Sequence, residues 1–160
     1  MVDILNKNLP YDVTCVFTVQ EEIGTRGAKV AAYTVKPDYA IVLETTTACD
    51  FSGNDGEKRV CELGRGCVVS YMDRSTIYDR ELYRLGFEKA KEINVPCQTK
   101  TLVAGGNDSG AIHSSVGGIR TVALSVPCRY LHSTSCMIKK SDVQSTAELA
   151  YAMYLALAEK

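Results

Sequence analysis

No tryptophan occurs among the 160 residues, and there are only two histidines. The missing tryptophans remove the indole platforms common in carbohydrate sites, although nine tyrosines are present. An excess charge of one sign is also lacking: 18 Lys and Arg stand against 19 Asp and Glu, a formal net charge of −1. A surface built for nucleic acid or anionic membrane carries a basic excess, so neither partner is expected. No apolar run approaches the roughly 20 residues of a membrane span. The first ten residues lack a cationic start followed by an apolar stretch, so no secretory leader is expected. The seven cysteines are odd in number and none has CxxC spacing, which argues against a zinc ribbon or a disulfide framework. They read as reduced, mostly buried thiols of a cytoplasmic protein.

What is present is ordinary globular composition, 46% hydrophobic and 23% charged, long enough for one domain with a substantial core. Val13–Val19 is a β-branched run and predicts a buried strand. An alanine-rich helix follows over 25–35, and Tyr39–Leu43 predicts a second buried strand ending at Glu44. Residues 51–56 form a loop, and 66–70 a third strand. A helix is predicted over 79–93, stopped by Asn94 and Pro96. Strand-like 97–103, a short helix over 108–115 and a strand over 120–126 come next. The last helix is predicted from Ser141 to about Ala158, with Gln144 placed for a capping box. Its apolar faces predict a packed helix. This alternation argues for an α/β fold with a mainly parallel sheet, whose ligands collect at carboxyl ends of strands.

Three strand ends carry groups suited to hydrolysis. The first reads Gln20-Glu21-Glu22-Ile23-Gly24, the second ends at Glu44, and the third leads into Cys128-Arg129-Tyr130-Leu131-His132. Adjacent carboxylates repel, and successive side chains on extended backbone diverge. Glu21 and Glu22 are therefore either two solvated loop charges or a general base beside a metal ligand. Glu44 closes an apolar run and needs a partner at that depth. His113, on the short helix, reads as a hydrogen-bonded structural residue. His132, in irregular chain, is either a loop histidine or a side chain aimed across a pocket.

The segments Thr18-Val19-Gln20-Glu21-Glu22-Ile23-Gly24, Gly105-Gly106-Asn107-Asp108-Ser109-Gly110-Ala111-Ile112-His113 and Val126-Pro127-Cys128-Arg129-Tyr130-Leu131-His132-Ser133 occur in that order. Together they resemble the dinuclear metallo-aminopeptidases that include glutamyl, deblocking and tetrahedral aminopeptidases, some of them labelled endoglucanase or cellulase. The resemblance implies a three-layer zinc-peptidase-like sandwich with a mainly parallel mixed sheet. It also implies Glu21 as general base, Glu22 and His132 as metal ligands, and Glu44 where the family often carries an aspartate ligand to the second metal. Asp108 lies in a motif near the pocket without an assigned role. The implied cofactors are two divalent ions, Zn, Co or Mn, that polarise a water for attack on the amino-terminal bond of peptide substrates.

Members of that family are longer, and their upstream half supplies a histidine and two aspartates to the metals. Before Glu21 this sequence has no histidine, and its only acids are Asp3 and Asp12. The chain therefore resembles the carboxyl-terminal part of such a catalytic domain, truncated on its amino-terminal side, with residues 1–10 a leader or helix remnant. Weak metal binding, little or no activity from this chain alone and homo-oligomerisation through exposed apolar surface are expected. Two rival readings are an inactive or complementation-dependent fragment and a glycoside hydrolase using Glu21 with Glu44.

Overall fold

A computed structural model describes residue 6, residues 12–54 and residues 56–159, without the side chain of residue 57. The expected leader or helix remnant over 1–10 lies outside the described residues apart from Asn6. The elements run α1 (Arg26–Val35), β1 (Tyr39–Thr47), a 3₁₀ turn (Gly56–Lys58), β2 (Cys67–Val69), α2 (Arg80–Glu92), β3 (Cys97–Thr99), α3 (Ser109–Ile112), β4 (Arg120–Cys128) and α4 (Lys140–Ala158). The strands form one sheet in the order β1-β4-β2-β3. β1 with β4 and β2 with β3 are parallel, and β2 with β4 is antiparallel. The fold is thus α/β around a mixed sheet.

Alternation on the strands sorts the two faces. Ile41, Val122, Leu124, Cys67 and Val69 share one face, packed on Leu82 and Ala90 of α2 and Leu149, Ala150, Met153 and Leu157 of α4. Glu44, Ser125 and Val68 lie in register on the other face. There the 105–113 segment approaches, α3 packing on β4 and on α1. Helices therefore flank the sheet on both sides.

Local chemistry fixes the helix ends. Asp79 caps α2 by accepting from the backbone N–H groups of Glu81 and Leu82 at 2.9 and 3.0 Å. At its other end Asn94, with φ 55°, closes a Schellman turn: Val95 N–H donates to Ala90 and Asn94 N–H to Lys91. The expected capping box on α4 does not form. The helix begins one residue earlier, and its cap residue Lys139 makes no side-chain cap. Gln144 reaches forward to Glu148 instead. The strong polar feature of this terminus is Asp142, buried, accepting from Gly64 and Gly66 N–H at 2.7 and 3.0 Å.

The expected strand Val13–Val19 is not one. No residue of it is in a strand, and Phe17 and Val19 are 72% and 65% exposed. A β-branched run is stabilised by neighbours on a pleated surface, and none of the described strands pairs with it. Several other boundaries shift, among them the short helix, which ends at Ile112, and β4, which runs to Cys128. The strand expected over 97–103 ends at Thr99, and β1 runs to Thr47. Glu44 therefore sits inside β1, opposite Ser125, rather than at its end.

Candidate active site

Glu21, Glu22, Glu44 and His132 line one cavity of about 460 Å³, with Thr18, Lys100, Asn107 and Asp108 also in its wall. The four come from the turn before α1, the middle of β1 and the loop after β4. Each is held there by local backbone chemistry.

The turn that carries the glutamates is tied to the start of α1. The Glu21 carbonyl accepts from Gly24 and Thr25 N–H at 3.1 and 2.9 Å, and the Val19 carbonyl accepts from Gly27 at 3.0 Å. A Cβ on Gly27 would stand 2.5 Å from that Val19 oxygen, so the approach requires glycine here. The backbone here is a turn rather than an extended segment, and both carboxylates line the cavity. Glu21 is half-buried, and Glu22 is exposed. Burial pushes the Glu21 carboxyl above its usual range, the charges of Glu22 and Asp108 push the same way, and His132 opposes them.

Glu44 finds neutral partners. Its Oε1 accepts from Asn107 Nδ2 at 2.7 Å and from Ser125 Oγ at 3.2 Å. Burial still dominates and raises its carboxyl from the ordinary 4.5 to about 7, against the Lys100 charge and the two hydrogen bonds. The Lys100 ammonium donates to the Ala104 carbonyl at 2.7 Å. Asn107 also reaches the Tyr78 hydroxyl at 2.9 Å and accepts from Ser109 N–H at 2.7 Å. It is a hub, and its place in the Gly105–His113 motif does not by itself reveal that role. Ser125 could be found only through strand register.

His132 sits in a loop whose Tyr130 and His132 both have positive φ, 62° and 61°. The loop base is fixed by Arg129, which forks onto Asp50 at 2.5 and 3.0 Å. His132 Nδ1 lies 3.6 Å from Glu22 Oε1, and both side chains are largely exposed. His113 does what was expected of it, with Nδ1 at 2.8 Å from the Ser109 carbonyl. Asp108 is buried, with Thr18 Oγ1 donating to Oδ2 at 2.6 Å and, among the described residues, no partner on Oδ1.

A catalytic zinc takes three protein ligands and a structural one four. Glu22 and His132 approach as two donors, while Glu44 is engaged by Asn107 and Ser125. Among the described residues no three His, Cys, Asp or Glu are grouped closely enough to hold an ion. The described residues therefore do not make a complete metal cage. The cysteines take no part in the cavity wall. All seven are free, with Cys61, Cys67 and Cys128 buried, Cys15, Cys49 and Cys97 half-buried and Cys136 exposed. They are less uniformly buried than their apolar neighbours in sequence suggest. No helix of the described residues is long and apolar enough to cross a membrane.

A family model described as M42 glutamyl aminopeptidase matches residues 1–149. A putative aminopeptidase of Acetivibrio thermocellus is 41% identical over 145 residues, covering 89% of this chain and 43% of that protein. An aminopeptidase from the archaeon Desulfurococcus kamchatkensis superposes with a TM-score of 0.82 at 29% identity, over 84% of this chain and 39% of that one. The TET1 peptidase of Pyrococcus horikoshii, described as assembling into a tetrahedron or a large octahedral shell, gives 0.74 at 34% identity, over 89% and 39%. The chain spans about two-fifths of the length of the relatives it matches.

Proposed function

Since the chain belongs to the M42 glutamyl aminopeptidase family, we propose that it supplies one wall of an aminopeptidase centre, as the carboxyl-terminal part of a metallopeptidase catalytic domain. The observation that carries this is the convergence of Glu21, Glu22, Glu44 and His132 on one cavity. Glu21 is the general base: half-buried, with its affinity for a proton raised by burial and by two neighbouring carboxylates. It takes a proton from the attacking water and returns it to the leaving amine. Glu22 and His132 are this chain's donors toward one divalent ion, Zn, Co or Mn, and Glu44 is its donor toward a second. The remaining donors come from polypeptide beyond these residues or from a second copy. The substrates are the amino-terminal ends of peptides.

The reading fits a protein of the cytoplasm, given seven free thiols. It also fits a homo-oligomer, given exposed Phe17, Val19, Val30 and Tyr33. The test is complementation. The chain alone should leave aminoacyl-anilides intact. Co-expression with the remaining part of a full-length relative, followed by addition of Zn or Mn, should restore turnover. Glu21→Gln in the complemented protein should then lower kcat by about 100-fold or more. Unchanged turnover by Glu21→Gln would overturn the assignment. Chelator-resistant cleavage of a β-glucan instead would favour a carboxylate-pair glycosidase.

A further inference from the structure

Two cysteines flank the loop that presents His132. Beyond β4, Arg129 and Met137 form an antiparallel bridge with both hydrogen bonds made, at 2.9 and 3.0 Å. In such a pair the residues one step out on each strand project to the opposite face. Cys128 and Cys136 are therefore on the same side of this short ladder, on its diagonal. The Cys136 thiol is near enough there to strengthen, after burial, the hold of Cys128 on its proton. Cys128 is fully buried at the end of β4, and Cys136 is exposed. Between them run Tyr130, His132 and the Ser133 turn, whose hydroxyl donates to the Tyr130 and Ser135 carbonyls at 2.6 and 2.7 Å.

We propose that Cys128 and Cys136 are a redox-sensitive dithiol, a disulfide-forming pair whose oxidation by a low-molecular-weight disulfide such as oxidised glutathione clasps the loop carrying His132. The Cys136 thiolate, open to solvent, attacks one glutathione sulfur and releases a glutathione thiolate. Cys128 then gives up its proton and attacks the Cys136 sulfur of the mixed disulfide, releasing the second glutathione. Two protein thiols are oxidised, one glutathione disulfide is reduced to two thiols, and the two protons leave with them. Burial and the neighbouring thiol hold the Cys128 proton tightly, so the second step accelerates as pH rises. Cys67 and Cys97 are also register partners, but Cys67 is buried and Cys97 half-buried, whereas Cys136 is exposed.

Closing the loop removes backbone freedom between the two cysteines. The consequence for a metal held by His132 rests on the aminopeptidase reading, whereas the linkage does not. The test uses the whole chain with oxidised glutathione, then alkylation and trypsin. Cleavage at Arg120, Arg129 and Lys139 puts Cys128 in peptide 121–129 and Cys136 in peptide 130–139, each with one cysteine. The expected result is these two peptides joined, with amide exchange over 130–135 slowed on the order of tenfold or more, reversed by dithiothreitol. Cys136→Ser, an exposed change, should show neither effect. Cys136 stopping at the mixed disulfide, linkage elsewhere, or unchanged exchange in the linked form would overturn the proposal. Neither readout involves metal or turnover, so failure of the aminopeptidase reading leaves the result standing.

Discussion

Asn107 donates through Nδ2 to Oε1 of Glu44 at 2.7 Å, linking the loop before α3 to the centre of β1. The same amide reaches Tyr78, whose hydroxyl donates to the buried Asp73 at 2.5 Å. Glu44 is thus the cavity end of a hydrogen-bonded chain that runs back to the 73–78 turn. Asn107→Leu removes the bonds to Glu44, Tyr78 and Ser109 at a buried position. It should cost about 2–4 kcal/mol in urea unfolding, because partners are left unsatisfied. It should also move the Glu44 carboxyl further above 7, since the Asn107 bond favours the charged form. Carboxyl NMR titration that finds Glu44 unmoved would break this account.

The raised Glu44 carboxyl makes a signed statement about pH. Its ordinary value is 4.5, and the folded value is about 7. Between them the native state holds the proton more tightly than the unfolded chain. That contribution is present below 4.5 and is lost as pH rises through 7. Its size is at most about 3 kcal/mol. Glu21 is shifted in the same direction. Asp50 and Asp79 are shifted downward by Arg129 and Arg120, so they act below this window. Glu44→Gln should therefore flatten the fall in unfolding free energy between pH 4.5 and 7.5. An identical slope in both proteins would show that Glu44 titrates normally.

Most elements were legible because their signals are local. Asp79 before a periodic apolar stripe and Asn94 before Pro96 specify both ends of α2 by backbone chemistry that involves few distant residues. Val13–Val19 failed because its signal is not local. Its residues describe a surface that wants strand neighbours, and sequence alone does not say whether they are present. The capping box on α4 failed because the helix starts earlier and Gln144 turns forward to Glu148; the polar contact of this terminus is buried Asp142 with Gly64 and Gly66, far away in sequence. The site divides in the same way. Glu21, Glu22 and His132 sit in recognisable motifs, but only His132 follows a strand; the two glutamates reach the same cavity from the turn before α1. Ser125 and Asn107 matter through register and tertiary approach to Glu44, which no spacing announces.

Asp142 gives a separate stability test. Its carboxylate satisfies two backbone donors, Gly64 and Gly66, at the start of α4. Gly66 has φ +80° and its Cβ position would collide with the Pro96 carbonyl, so that turn has little freedom to find other acceptors. Asp142→Ala should destabilise by about 2–4 kcal/mol and lower Tm by about 5–15 °C. Asp142→Asn, which keeps one oxygen acceptor, should lose less. Calorimetry showing equal losses would mean that the space, not the bonds, is what matters.

Self-association should follow from α1. Val30 and Tyr33 are three residues apart on its surface and 67% and 66% exposed, and Gly27 of the same helix packs on the Val19 backbone. Phe17 and Val19, which precede this helix in sequence, are exposed as well. Sedimentation of the wild type should shift to larger species with concentration. The V30E/Y33E double variant should sediment as a monomer, since two charges would be desolvated in the contact. If both proteins are monomeric throughout, this surface is not what drives assembly.

Metal titration tests the division of labour within the cavity. Glu22 and His132 are 3.6 Å apart and open to water, so a divalent ion can reach both without displacing protein contacts. Two donors with water completing the shell make a weak site. Glu44 is poorly placed to strengthen it, because Asn107 and Ser125 already hold Oε1 and its own proton is bound up to about 7. Calorimetric titration with Zn or Mn should therefore show one weak site, lost in Glu22→Gln and in His132→Ala and retained in Glu44→Gln. Affinity should fall on acidification, because the imidazole ligates only when unprotonated. A chelator should leave Tm unchanged, since Leu82, Leu124, Leu149 and Met153 form the core with no contribution from an ion. Two tight sites, or a Tm that drops on chelation, would mean that the chain by itself builds a fuller cage than Glu22 and His132 provide.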